Sequence, residues 1–138
     1  MPPAVASPYL ASQVQTASPA KLRLMLIEAA LRHAARARTL LDEAKPIEAT
    51  DAIIKCQEIV GELIAGIDRQ QASELADKIV GLYLFVHGRL VSAAFERNAV
   101  KLAEAVRVLE IERDTWRQVC EQLNSRAAVP APNFSFNA

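Results

Sequence analysis

Apolar residues recur every three or four positions along most of this chain, the spacing that gathers them on one side of a helix turning 100° per residue. Four such stretches are separated by residues that start or stop helices. Ser18-Pro19 supplies an N-cap oxygen followed by a proline at the first helical position, where no N–H is needed. It predicts a first helix from about residue 19 to 44. Lys45-Pro46 ends that helix and starts a second, reaching about residue 69. Residues 70–73 form a short joint, and a third helix spans about 74 to 96. Arg97-Asn98 makes the next turn, with Asn98 as N-cap of a fourth helix over about 99–125. The expected fold is all-α: an antiparallel four-helix bundle whose short turns make sequence neighbours antiparallel. Residues 1–17 are expected to be a flexible N-terminal arm, residues 18–125 the helical domain, and residues 126–138 a disordered tail.

Each helix shows one core stripe. On the first it is Leu22, Leu26, Ala30, Ala37, Leu40 and Leu41; on the second, Ala49, Ala52, Cys56, Ile59, Val60, Leu63 and Ile67. On the third it is Leu75, Ile79, Leu82, Tyr83, Val86 and Leu90; on the fourth, Leu102, Ala105, Val106, Leu109, Trp116, Cys120 and Leu123. These stripes suffice for a bundle, yet more apolar residues follow on other faces. The first helix adds Leu24, Ile27 and Leu31, and the second Ile47, Ile54, Gly61 and Ala65. The third adds Val80, Leu84, Val91 and Phe95 beside Gly81 and Gly88, and the fourth Val100, Val108 and Ile111. A helix apolar all round is covered on both sides. With no fifth long helix to do so, a partner is the expected cover, and a surface spread over several helices suits a long peptide that folds on binding.

Sixteen basic and sixteen acidic residues cancel, so there is no concentrated basic surface of the kind nucleic acid or an anionic membrane requires. The sequence shows no uninterrupted apolar run of the ~18–20 residues needed to span a bilayer and no signal-peptide pattern at MPPAVASPYL. The expectation is a cytoplasmic protein without membrane insertion. The composition is 51% hydrophobic but only 5% aromatic, which favours helix packing over a β-sandwich. Cys56 and Cys120 have no metal-ligand or CxxC spacing and are expected as small buried hydrophobes.

Candidates for chemistry are few. No Glu-x-x-His pair and no glycine-rich phosphate loop occurs. His33 is placed on the core face of the first helix as a hydrogen-bonded residue, and His87 offers only a faint likeness to a phosphotransfer histidine. The expectation is a protein that is not an enzyme and has no cofactor or metal.

Four segments carry a family resemblance: Tyr9 with TASPAKLRLML (16–26), QEIVGEL with Ile67-Asp68 (57–68), LYLFVHGRLVSA (82–93) and ERDTW (112–116). In this order and spacing the chain resembles the FliS family, the flagellin-specific chaperones of the flagellar type III secretion system. It departs from the family pattern at Ile27-Glu28-Ala29-Ala30, where a Tyr-Asp-Gly-Ala run is usual, at Gln71-Ala72-Ser73 in place of a Gly-Gly joint, at Ala94 in place of an Asn, and in its longer tail. The resemblance implies a helical bundle that binds the disordered C-terminal segment of flagellin in hydrophobic grooves, prevents polymerisation in the cytosol and presents the complex to the export gate. It also implies an arm that covers the groove when flagellin is absent, anchored here by Tyr9, Leu10 and Val14. The groove residues expected from the helical faces are Leu24, Ile27, Leu31, Ile54, Val80, Leu84, Val91, Phe95, Val108 and Ile111. The alternative is a self-associating helical adaptor whose spare faces bury against a second copy, at the least as a weak homodimer. Phe134 and Phe136 give the tail two further apolar anchors.

Overall fold

A computed structural model of the chain describes residues 17–67 and 73–128. It contains four helices: α1 (Pro19–Asp42), α2 (Pro46–Ala65), α3 (Ser73–Glu96) and α4 (Ala99–Ala128). The start signals act as the sequence predicts. Ser18 Oγ accepts from the Lys21 N–H at 3.1 Å, and Asn98 Oδ1 accepts from the Val100 and Lys101 N–H groups at 2.9 and 3.2 Å. Pro46 opens α2 from Lys45, which supplies no side-chain cap.

α1 and α3 both end on a residue in the left-handed region, Ala44 (φ 58°) and Arg97 (φ 53°). That conformation lets the Lys45 N–H reach the Leu40 carbonyl at 2.8 Å and the Asn98 N–H reach the Ala93 carbonyl at 3.0 Å, closing each helix end with a bond five residues back. Two boundaries differ from expectation. α2 stops at Ala65, where the Gly66 and Ile67 N–H groups take the last carbonyls, and α4 runs through residues 126–128, which were assigned to the tail.

α1 packs on α2 and α4, and α3 packs on α2 and α4, a closed square in which α1 and α3 stand diagonally. Cross-helix contacts fix the directions as antiparallel: Arg23 near the start of α1 reaches Leu63 near the end of α2, and Arg117 of α4 reaches Glu28 of α1. The core follows the predicted stripes at Ala30, Ala37, Leu40, Ala49, Ala52, Cys56, Val60, Leu63, Tyr83, Val86, Leu90, Leu102, Ala105 and Leu109.

Leu24, Ile27 and Val80, expected on an outer face, are instead buried in this core, and Ile53 joins them. The reason is the square arrangement. Each helix meets two neighbours, so its buried arc extends to both flanks of the central stripe, and alanines at 30, 34 and 37 draw α1 close enough to seat Leu24 and Ile27. Leu22, Leu75 and Leu123, expected in the core, are exposed. All three lie at the end of the bundle where α1 and α3 begin and α4 finishes.

α3 carries an apolar stretch interrupted by Asp77, Lys78, His87 and Arg89. Residues 74–96 are long and apolar enough, by length and composition alone, to cross a membrane. Their hydropathy is high because α3 is apolar on two faces; its inner face, with Tyr83, Val86 and Leu90, lies in the core.

Candidate client-binding surfaces

Two apolar surfaces remain uncovered, on opposite sides of the square. The first borders the α2/α3 seam. On α3, Leu84, Val91 and Phe95 are 54%, 43% and 89% exposed. Five residues beyond Leu84, and so about 140° around the helix, Arg89 turns the other way to pair with Glu104 of α4 at 3.3 Å. The Leu84 stripe therefore lies on the α2 flank of α3. On α2, Ile59 shares a polar cleft with His33 of α1, and Ile54, five residues away, is exposed on the outer side of the helix. Ile47, seven residues before Ile54, is 71% exposed, while Gly61, seven residues after it, borders the cleft with His33 and Ile59.

The second surface is an open cleft of about 730 Å³ along the α1/α4 seam. Leu31, Ala34, Ala35, Val100, Ala103 and Val106 provide its apolar lining, and Arg38, Arg107, Arg113, Glu104 and Glu110 line it with charge of both signs. A smaller cleft of about 410 Å³ continues the same seam at the far end, between Lys21 and Met25 of α1 and Cys120 and Leu123 of α4. Ala17, the first described residue, lines it.

The α1/α2 seam differs. His33, Arg36, Glu48, Asp51, Lys55, Glu58 and Glu62 line its clefts. His33 is half-buried there, and partial burial, with Lys55, Arg32 and Arg36 nearby, holds its pKa below the usual histidine value.

Of the expected groove residues, Leu84, Val91 and Phe95 gather on the outer face of α3, Ile54 is exposed on α2, Leu31 lines the α1/α4 cleft, and Ile111 is exposed on the outside of α4. Val108 is half-buried and packs against the core. Leu24, Ile27 and Val80 are interior, while Tyr9, Leu10, Val14, Phe134 and Phe136 lie outside the described residues. The helical wheel missed the floor of the α1/α4 cleft because Ala34, Ala35 and Ala103 carry little apolar signal; the seam gains its depth from their small size.

A polar cluster joins all four helices beneath these surfaces. The Arg23 guanidinium donates to the Leu63 carbonyl of α2 at 3.1 Å. Its Cζ lies 5.2 Å from the ring centroid of Tyr83 on α3 and 5.6 Å from that of Trp116 on α4. The Tyr83 hydroxyl donates to Glu112 Oε1 at 2.7 Å, and burial, reinforced by that carboxylate, pushes its pKa well above the ordinary tyrosine range. Cys56 is buried nearby in the core and its thiol is pushed up to about 12 by burial alone. Among the described residues no group of three or more His, Cys, Asp or Glu could hold a metal ion.

Known proteins match this chain along most of its length. The family model described as flagellar protein FliS matches residues 1–123. The flagellar secretion chaperone FliS of Bacillus subtilis (strain 168) is 30% identical over 121 residues, covering 86% of this chain and 90% of that protein. The flagellar secretion chaperone FliS of Salmonella typhimurium (strain LT2) is 29% identical over 109 residues, 78% of this chain and 81% of that protein. The protein of the same name from Campylobacter jejuni is 30% identical over 111 residues, covering 80% and 87%.

Proposed function

The chain belongs to the FliS family of flagellar proteins, and on that premise we propose that it is a flagellin export chaperone. In this reading it binds the disordered C-terminal segment of flagellin in the cytosol, keeps that segment from polymerising, and delivers the complex to the flagellar export gate. The names of its relatives, flagellar secretion chaperones, support the general activity.

The observation that carries the choice of client form is the placement of the two apolar surfaces. The α2/α3 and α1/α4 seams are on opposite sides of the bundle. A folded partner docking on one side leaves the other bare, whereas an extended chain covers both. Helices about 10 Å across make a square about 20 Å wide, so half its girth is about 30–40 Å. Roughly ten to twelve extended residues span that distance at ~3.3 Å each. Apolar side chains spaced along the segment would fill Leu84–Phe95 on one side and the Leu31–Val100 cleft on the other. Tyr9 and Val14 of the arm are read as covers for this surface when no client is bound.

Calorimetric titration with the C-terminal ~40–50 residues of flagellin from the same organism tests the reading. Coupled folding and burial predicts submicromolar binding with a large negative heat-capacity change and favourable enthalpy. Absence of binding, with the arm both present and deleted, would refute it.

A further inference from the structure

One end of the bundle is open, the end where α4 finishes. Leu22, Leu75 and Leu123 are exposed there, although each continues a core stripe. The cleft of about 410 Å³ opens at the same end, with Met25 and Cys120 half-buried on its two walls and Leu123 nearer the helix end. Residues 129–138 follow α4 at this point. They carry no charge, and Asn133, Phe134, Ser135, Phe136 and Asn137 alternate polar with apolar. Such a segment, when extended, has both phenylalanines on one edge and its three polar side chains on the other. It lies beyond the residues that the family model matches, so the family assigns it no role.

Reach decides which apolar surface this edge meets. α4 stops at Ala128, and Pro130 disfavours helix at Val129 before it. Phe134 and Phe136 lie six and eight residues past Ala128, a span of at most ~20 and ~27 Å. Folded back along α4, they need cover only ~8 Å to Leu123 and ~12 Å to Cys120, at ~1.5 Å per helical residue. Val100, at the head of the larger cleft, is 28 residues up α4, or ~42 Å. Phe95 and Ile47 lie at that same distant end, and all three are beyond reach.

The near cleft also suits an aromatic edge. The unbranched thioether of Met25 adapts its shape to a ring and attracts it, and Cys120 adds a second sulfur. Lys21 is the one charged residue in the lining, and its long side chain keeps its ammonium in water while an uncharged segment lies beside it. The N-terminal arm enters next to this cleft at Ala17 but has a different pattern. In an extended arm Leu10 and Val14 flank Ser12 on one edge and Tyr9 falls on the other, so no two apolar anchors are adjacent.

We propose that residues 129–138 fold back over the end of α4 and seat Phe134 and Phe136 in the cleft formed by Met25, Cys120 and Leu123 of their own chain. The docked segment closes the open end of the α1/α4 seam. The docking stands apart from the client reading. If flagellin enters this seam as proposed above, which is where this further step rests on that reading, then tail and client compete for this end of it.

Two probes in the full chain without client test the docking. Cys56 is buried, so a thiol reagent added to the folded protein reads Cys120. Met25 shares the sequence with one other methionine, Met1, so its methyl resonance is readily assigned. Phe134→Ser with Phe136→Ser should raise the reaction rate of Cys120 at least about fivefold and shift the Met25 methyl resonance as the rings leave it. The effect should be the same at low and high protein concentration, because the segment belongs to the same chain. Tyr9→Ser with Leu10→Ser, the matching change in the arm, should leave both readouts unmoved. An unchanged Cys120 rate in the tail variant, a response to the arm variant in its place, or a response that fades on dilution would each overturn the proposal. Calorimetry with the flagellin segment reads the competition: the tail variant should bind at least about threefold more tightly than the parent. Equal affinity removes only the competition, and a client that binds neither chain removes only the reading it rests on.

Discussion

Phe95→Ser and Val80→Ala make opposed demands on one helix. Phe95 is 89% exposed, so nearly all of its surface is available to a client and almost none stabilises the bundle. Full burial of a phenylalanine is worth about 1.5–3 kcal/mol, so a client that covers Phe95 loses roughly 2 kcal/mol on its removal, close to a thirtyfold rise in Kd. The unfolding free energy should change by no more than ~0.5 kcal/mol. Val80, fifteen residues earlier, is 3% exposed. Removing its two methyl groups should cost the fold about 1–2.5 kcal/mol and leave Kd for the client nearly unchanged. The measurements are urea unfolding followed by circular dichroism, and fluorescence anisotropy of a labelled flagellin segment at nanomolar chaperone, where self-association does not interfere. Equal loss of stability in both variants would show that Phe95 packs inside the protein in solution. Less than about a threefold change in Kd for Phe95→Ser would remove it from the client surface.

Two further expectations concern stability. Glycine stands in mid-helix at Gly61, where an added Cβ meets nothing, and is missing at Ala44, whose φ is 58°. Gly61→Ala and Ala44→Gly should each stabilise the bundle by up to ~1 kcal/mol, raising the urea midpoint; a fall in either would refute the account of that site. Cys56 gives the pH dependence. Its thiol is raised from 9.0 to about 12 in the fold, so folding favours the protonated form. That contribution is fully present below about pH 9 and declines as pH rises toward 12, by at most ~1.4 kcal/mol per pH unit. Cys56→Ala should therefore flatten the alkaline decline in unfolding free energy, and an unchanged slope would assign the decline elsewhere.

The helix starts were legible because they rest on local chemistry: Ser18, Pro46 and Asn98 act within a few residues of themselves. The inner residues of each stripe were legible for a related reason, since any inward face must be apolar. The flanks were not. Whether Leu24, Ile27 or Val80 points to a neighbouring helix or to solvent depends on which helices are adjacent and how closely alanine lets them approach. Periodicity along one helix holds neither fact. The ends failed in the other direction: Leu22, Leu75 and Leu123 continue their stripes past the point where neighbours remain to cover them. Of the site, Leu84, Val91 and Phe95 were readable as surplus apolar residues on an already buried helix, whereas the α1/α4 cleft is a hollow made by small side chains.

The four segments that suggested the family converge in space: Arg23 comes from the first, Leu63 from the second, Tyr83 from the third, and Glu112 and Trp116 from the fourth. Their meeting addresses an ambiguity built into alanine- and leucine-rich helices. One such helix can slide past another by a turn, about 5.4 Å, and still bury apolar groups. The guanidinium of Arg23 can find a carbonyl and two aromatic faces together in only one alignment, and Tyr83 meets its carboxylate in that same alignment. The cluster thus acts as a key that fixes the helices in phase. A protein whose outer faces are apolar can in this way remain a single, well-defined scaffold.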